Sequence, residues 1–354
     1  MNTTNHLSHM SLTLRLAEQG RFTVSPNPMV GCVIVKNKQI IGQGFHQRYG
    51  GPHAEIFALQ EAGQAANGAS VYINLEPCCH EGKTPPCTAA LIKAGIKNVY
   101  ISCIDPNPLI AGRGVKILKS AGIHVEVGLL KKEATVLNEI FFYYITQKRP
   151  FVIAKWAISL DGKTSVNELD TKKISGEESL YVTHDLRRKV DAILVGANTI
   201  LIDNPQLIAR FGNNSKQPIR IILSGRKNFP SDLNIFKNSH SRTIIAVTKR
   251  TVRSIPLIKS NHIELLMVPE NQDQTISLPT LLDKLAEIKI SSLLVEGGMI
   301  THQHFLKENL VNKMYVYLSP KLIGSFPKKK LLNIQNAYQA GEDYHFVANL
   351  KEKI

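Results

Sequence analysis

No stretch of the sequence approaches the roughly 18 consecutive apolar residues that a membrane-spanning helix needs. The opening residues Met1-Asn2-Thr3-Thr4-Asn5-His6 lack the charged-then-apolar order of a secretory signal. The expected compartment is the cytosol, with no membrane partner. Cysteine is scarce, at five residues in 354, too few and too unevenly spread for a disulfide framework. Aromatic side chains make up only 6% of the chain, which leaves little for stacking the bases of a nucleic acid. Solenoid-type repeats, low-complexity tracts, kinase-like glycine loops and the Gly-x-Gly-x-x-Gly spacing of a dinucleotide fold are all missing. Fibrous, disordered and disulfide-scaffold architectures are thereby excluded.

What is there suits an ordinary soluble globular protein: 43% of residues are hydrophobic, 20% are charged, and a length of 354 favours two domains. The net charge of +15 raises nucleic acid or an anionic small molecule as partner. Both halves of the chain are basic in proportion to their length. The longest basic run, Lys328-Lys329-Lys330, carries no interleaved aromatics. A phosphorylated metabolite accounts for this charge as well as a polymer does.

Strand-like and helix-like hydropathy periods alternate from residue 8. Leu12, Leu16 and Ala17 share a helical face that stops at Gly20. Strands are predicted at Met29–Val35, Ile40–Gly44, Ser70–Leu75, Val99–Ile104 and Ile123–Val127, with helices at Pro52–Ala62, Thr88–Ala94 and Gly114–Ser120 between them. A helix ending near Ile145 runs into Gln147-Lys148-Arg149-Pro150, a polar, proline-closed junction taken as the domain boundary. The alternation then restarts with strands at Phe151–Ile158, Ala192–Val195, Ile219–Leu223, Thr243–Val247, Ile263–Val268, Leu293–Val295 and Met314–Leu318. Helices are expected at Glu177–Lys189 and Leu281–Ile288. Both halves therefore read as α/β, with sheets covered by helices.

Three of the five cysteines (Cys78, Cys79 and Cys87) fall within ten residues. In a reducing compartment such clustering points to metal binding or catalysis. Pro52-His53-Ala54-Glu55 opens a predicted helix, and Glu76-Pro77-Cys78-Cys79-His80 follows a predicted strand. One imidazole and two thiolates bind Zn²⁺ and leave the fourth tetrahedral position for water, whose pKa the metal lowers to about 7. Glu55, two residues after His53, can sit beside the metal without ligating it and carry a proton from water to a leaving amine. The order His-x-Glu then Pro-Cys-x-x-Cys marks the zinc deaminases. Here Glu81 stands where the second cysteine is expected. The third ligand is then assigned to Cys87, reached through an inserted loop, with His80 and Cys79 as alternatives.

Pro26-Asn27-Pro28-Met29-Val30-Gly31, Pro52-His53-Ala54-Glu55, the stretch from Glu76 to Cys87 and Asp105-Pro106-Asn107-Pro108 together resemble the bifunctional riboflavin-biosynthesis deaminase/reductase family. The resemblance continues through Lys155, Ser159-Leu160-Asp161-Gly162-Lys163-Thr164, Asp203 to Leu207 with Arg210, and Glu296-Gly297-Gly298. It implies a cytidine-deaminase-like three-layer α/β domain over residues 1–147 and a dihydrofolate-reductase-like α/β domain over 148–354. The implied chemistry is zinc-dependent deamination of a diaminopyrimidinone carrying ribose 5-phosphate, then NADPH reduction of the ribosyl group to ribityl. By matched position, Asn27 and His46 would contact the pyrimidine, with His80 and Lys83 at the polar and phosphate end. Lys155, Thr171, Arg187, Leu207, Arg210 and Glu296 would line the second substrate site. Ala157, Lys173, Thr199, Asp203 and the turn Gly298-Met299-Ile300-Thr301 would meet NADPH. The chain departs from the pattern at Lys173, where many members have tryptophan, and at Ser224, often aspartate. A homodimer is the family expectation, with no nucleic-acid partner. The alternative reading is a tRNA or other nucleic-acid base deaminase with an appended domain. It would need a concentrated basic face and stacking aromatics, and these residues supply neither.

Overall fold

The computed structural model describes residues 3–80, 85–108, 110–164, 176–210, 216–225, 228–255, 260–323, 330–340 and 343–350. The chain divides into two compact units, one of Met1–Pro150 with Leu285–Ser291, the other of Phe151–Lys284 with Ser292–Ile354. Among the described residues no helix is long and apolar enough to cross a membrane.

The first unit runs α1 (Thr3–Glu18), β1 (Gly31–Lys36), β2 (Gln39–Phe45), α2 (Ala54–Ala62), β3 (Ser70–Leu75), α3 (Cys87–Lys93), β4 (Asn98–Cys103), α4 (Arg113–Ser120), β5 (His124–Val127), α5 (Lys131–Leu137) and α6 (Glu139–Gln147). Its sheet has the order β2-β1-β3-β4-β5. β1 is antiparallel to both neighbours, whereas β3, β4 and β5 are parallel. Strands β1 and β3 are buried on both faces, as strands sandwiched between helices must be. Cys32 and Ile34 enter one apolar cluster with Ala54 and Ala58 of α2, while Val33 and Val35 enter another with Met10 of α1. Helices thus cover both faces.

The face of α1 that is fully buried is Met10, Thr13 and Ala17 rather than the expected Leu12, Leu16 and Ala17; the two leucines are half-buried. Gly31 supplies the reason. A Cβ there would lie 2.1 Å from the Thr13 carbonyl oxygen and 2.8 Å from the Ala17 amide nitrogen. The helix therefore rests on β1 through its small residues.

The second unit runs β6 (Phe151–Ser159), α7 (Glu177–Lys189), β7 (Ala192–Gly196), α8 (Ala197–Asp203), β8 (Ile219–Leu223), α9 (Asn234–Lys237), β9 (Thr243–Val247), β10 (Ile263–Met267), α10 (Leu278–Glu287), β11 (Ser292–Val295), α11 (Met299–Lys307), β12 (Lys313–Ser319), β13 (Lys321–Leu322), β14 (Lys330–Ala340) and β15 (Asp343–Leu350). Seven strands form a parallel sheet in the order β10-β9-β8-β7-β11-β6-β12. β7, β9 and β11 are almost wholly buried, whereas the edge strand β12 alternates half-buried and exposed residues. From β7 the chain steps outward through β8, β9 and β10, then returns to lay β11 against β7. The order reverses there, and in open parallel sheets ligands bind beyond the strand ends at such a point. The remaining strands, β13, β14 and β15, make an antiparallel sheet that the hydropathy pattern did not predict.

The α1–β1 contact is testable. Gly31→Ala should destabilise the protein by about 1–3 kcal/mol, the usual cost of overpacking. Gly176→Ala, at an ordinary φ with nothing within 4 Å of the added Cβ, should stay within about 0.5 kcal/mol of the parent. Urea denaturation of both variants measures the difference.

Candidate active sites

In the first unit three chain segments converge. Gly44 lets α2 lie directly on β2, since a Cβ there would sit 2.7 Å from the Ala54 carbonyl oxygen. The start of α2 is thereby pinned, with His53 as its extended N-cap and Glu55, only 3% exposed, in its first turn. Cys78 follows β3 through Glu76-Pro77. The buried Glu76 carboxylate accepts backbone N–H bonds from Asp105 (3.2 Å), Gly112 (2.9 Å) and Val115 (3.0 Å), tying this segment to the one after β4. Cys87 is the first residue of α3, and its amide donates to the Cys78 sulfur at 3.3 Å.

His53 Nδ1 lies 3.2 Å from Cys87 Sγ and 3.5 Å from Cys78 Sγ, and the three donor atoms fall within 4.8 Å of one another. Hydrogen bonding from Cys87, and next to it from His53, holds the Cys78 thiol down at about 4. Its partner Cys87 is pushed up, because Cys78 takes the thiolate role and burial adds to the effect. Burial likewise raises the Glu55 carboxyl. One imidazole and two thiol sulfurs are the donors zinc prefers in a site that keeps an open position, so the residues fit the metal. Among the described residues, neither Cys79 nor the exposed His80 joins this group.

Beside it, Asn27 Nδ2 donates to His46 Nε2 at 3.0 Å, and His46 Nδ1 donates to the Pro52 carbonyl at 2.9 Å. Burial lowers the His46 pKa, in keeping with this neutral tautomer. Two asparagines that the sequence reading missed hold the neighbouring backbone. Asn138 Oδ1 accepts from Met29 N (2.8 Å), Asn138 and Asn74 each donate to Met29 O (2.9 Å), and Asn74 Oδ1 accepts from Gly31 N (2.8 Å). Lys83 lies outside the described residues.

In the second unit, Glu296 follows β11 and Arg187 projects from the last turn of α7. Arg187 Nε and Nη2 donate to the two Glu296 carboxylate oxygens at 2.8 Å each, the bidentate geometry of a strong pair. Burial alone would raise Glu296, but Arg187 and then Lys155 more than offset it and hold the carboxyl below its ordinary value. Lys155, on β6, has its ammonium 4.9 Å from the centre of the Tyr317 ring, and burial lowers its pKa against the pull of Glu296. Arg187 Nη1 also donates to the Ile208 carbonyl at 3.1 Å. Leu207 is buried at φ +49°, a left-handed conformation rare for a bulky residue, and Arg210 is exposed. Thr171 and Lys173 lie outside the described residues.

A cavity of about 590 Å³ opens beyond the ends of β7 and β11, within the range of cofactor pockets. Thr199 and all four residues of the Gly298–Thr301 turn line it; Ala157 and Asp203 do not. A Cβ built on Gly298 meets nothing within 4 Å, so the turn leaves room for a close ligand at the start of α11. Thr248, Thr251 and Gln274 also line the cavity and carried no sequence signal. Buried Ser224 donates to Thr251 Oγ1 at 3.0 Å.

The model of the cytidine and deoxycytidylate deaminase zinc-binding region matches residues 3–103, and that of the RibD C-terminal domain matches residues 150–346. The chain is 43% identical to riboflavin biosynthesis protein RibD of Aquifex aeolicus over 317 residues, covering 90% of this chain and 87% of that one. The chain belongs to the RibD family. The RibD of Escherichia coli is 38% identical over 329 residues, covering 90% of this chain and 88% of its own. RibD of Acinetobacter baumannii superposes with a TM-score of 0.79 at 33% identity, over 99% of each chain. A deaminase/reductase structure from Thermotoga maritima gives 0.79 at 34% identity, over 98% of this chain and 99% of that one. As a RibD protein the chain is a bifunctional enzyme of riboflavin biosynthesis, a zinc-dependent deaminase joined to an NADPH-dependent reductase. The fold is the expected pairing of cytidine-deaminase-like and dihydrofolate-reductase-like α/β architectures. Kinship over nine-tenths of the chain does not favour the nucleic-acid deaminase alternative.

Cys87→Ser should remove most bound zinc, and Cys79→Ser should leave it in place. Metal analysis of the two purified variants decides between them; zinc loss confined to the Cys79 variant would overturn the assignment of Cys87.

Proposed function

We propose that residues 1–147 deaminate 2,5-diamino-6-(5-phosphoribosylamino)pyrimidin-4(3H)-one and that residues 148–354 reduce the product's ribosyl group, giving 5-amino-6-(5-phosphoribitylamino)uracil. The observation that carries this reading is the meeting of His53, Cys78 and Cys87 beside buried Glu55, in a chain whose other unit holds a cofactor-sized cavity.

His53, Cys78 and Cys87 would hold the zinc. Bound zinc supplies a Lewis acid that makes water acidic enough to attack at neutral pH. Glu55 takes the proton at its carboxylate and hands it to the leaving amine, a role suited to a carboxyl that burial has moved toward neutrality. Asn27 and neutral His46 orient the pyrimidine, and their mutual hydrogen bond fixes which ring nitrogen of His46 carries the proton. His80 and Lys83 serve the polar and phosphate end.

In the reductase, NADPH supplies the reducing equivalents. Thr199 and Gly298, Met299, Ile300 and Thr301 hold it from the cavity wall, with Ala157, Lys173 and Asp203 completing its contacts. Lys155, Thr171, Arg187, Leu207, Arg210 and Glu296 bind the phosphorylated substrate. The Arg187–Glu296 pair keeps the guanidinium in one orientation. The enzyme works as a homodimer in the cytosol, on a small molecule rather than a nucleic acid.

Mass spectrometry of the products tests both steps. With the diamino substrate alone the expected product has one amine exchanged for oxygen; adding NADPH should add two hydrogens. Glu55→Gln should retain zinc and lose on the order of 10²-fold or more in deamination, while still reducing pre-deaminated substrate. Near-normal deamination by that variant would remove Glu55 from the mechanism.

A further inference from the structure

The segment from Asn204 to Arg210 has neither helix nor strand to hold it, yet it carries Leu207 at φ +49°. Such a conformation is strained for a bulky side chain and persists only where the surroundings impose it. Here groups from elsewhere in the unit hold the segment at Asn204, Gln206, Ile208, Ala209 and Arg210. Asn204 Oδ1 accepts from Asn234 N at 2.8 Å, and the Asn204 carbonyl accepts from Asn234 Nδ2 at 2.9 Å. Buried Arg220 donates to the Gln206 carbonyl at 3.5 Å. The Gln217 amide pairs both ways with Ala209, Oε1 accepting from its N–H and Nε2 donating to its carbonyl, each at 3.0 Å.

His184 closes the clamp. It lies on α7, is 1% exposed, and places Nδ1 3.1 Å from the Ile208 carbonyl oxygen and 3.2 Å from the Arg210 amide nitrogen. In one tautomer Nδ1–H donates to Ile208; in the other the Nδ1 lone pair accepts from Arg210. Either way the ring is fastened to the backbone between Leu207 and Arg210. Burial first, then the charges of Arg187 and Arg210, hold the imidazole at about 4, so it adds no third positive charge between two arginines. The same Ile208 carbonyl accepts from Arg187 Nη1. A shift of this backbone therefore moves the guanidinium that also grips Glu296.

We propose that His184 and Gln217 are positioning residues of the reductase, fixing the 207–210 backbone so that Leu207, Arg210 and Arg187 present one arrangement to the phosphorylated substrate. The inference rests on the substrate-binding role given above to those three residues.

The test uses the full-length zinc-loaded enzyme. Reductase kcat and KM are measured with pre-deaminated substrate, binding of that substrate is measured calorimetrically without NADPH, and NADPH binding is titrated by fluorescence. His184→Ala should raise substrate KM and Kd about tenfold, the scale of one lost hydrogen bond, with kcat and NADPH affinity little changed. His184→Asn, whose amide can reach the Nδ1 position, should recover most of the loss, and Gln217→Ala should shift KM in the same direction. If the alanine variant of His184 does not fold, the asparagine and Gln217 variants decide on the same criteria. Substrate KM and Kd unchanged in the variants, or substrate and NADPH affinity falling together without rescue by asparagine, would overturn the proposal. Arg187→Lys, run alongside, separates the two failures. If it too leaves substrate affinity unchanged, the substrate-site reading is wrong; if it weakens substrate while the His184 and Gln217 variants do not, only the positioning role falls.

Discussion

Parallel strands buried on both faces leave polar chemistry nowhere to go but the strand ends. β3, β7, β9 and β11 are buried along almost their whole length, so a polar group on their faces is tolerated only where it is hydrogen-bonded, as Asn74 on β3 is to Met29 and Gly31. Each unit accordingly builds its site where strands stop. Cys78 comes just after β3, the Gly298 turn after β11, and Thr248 after β9. Each site draws its described residues from a single unit.

Burial at these ends creates a second requirement, because each buried carboxylate needs donors. The two units meet it differently. Glu76 collects three backbone amides and works as a brace between the Cys78 segment and the segment preceding α4. Glu296 takes a guanidinium, forming a largely buried bidentate pair with Arg187. Neutral amides and imidazoles do the fine placement: Asn74 and Asn138 on Met29, Gln217 and His184 on the 208–210 backbone. Such groups fix backbone position without burying a further charge.

The zinc donors were legible because a short motif names its own chemistry: an imidazole, a carboxylate two residues on, and thiols after a strand. The third donor was assigned to Cys87 over Cys79 and His80 because Glu81 stands where the motif's second cysteine is expected, and the start of α3 at Cys87 sets it beside His53 and Cys78. Strand and helix periods placed most of both sheets. They missed the buried face of α1 because its cause, the absent Cβ of Gly31, lies on another element. They also missed the β14–β15 pairing. The braces were invisible for a similar reason: Asn138 lies 109 residues from Met29, and no local periodicity encodes a partner so distant. The reductase residues came from family resemblance. The cavity holds Thr199 and the Gly298–Thr301 turn but not Ala157 or Asp203, while Lys83, Thr171 and Lys173 fall outside the described residues.

The two proposed chemistries are built separately, each at the strand ends of its own sheet. Stripping zinc with a chelator and assaying both steps on one sample tests this separation most directly. Deamination should be lost and return when zinc is restored, while reduction of pre-deaminated substrate by NADPH continues at its original rate. Loss of reduction together with deamination, or deamination that survives removal of the metal, would contradict it.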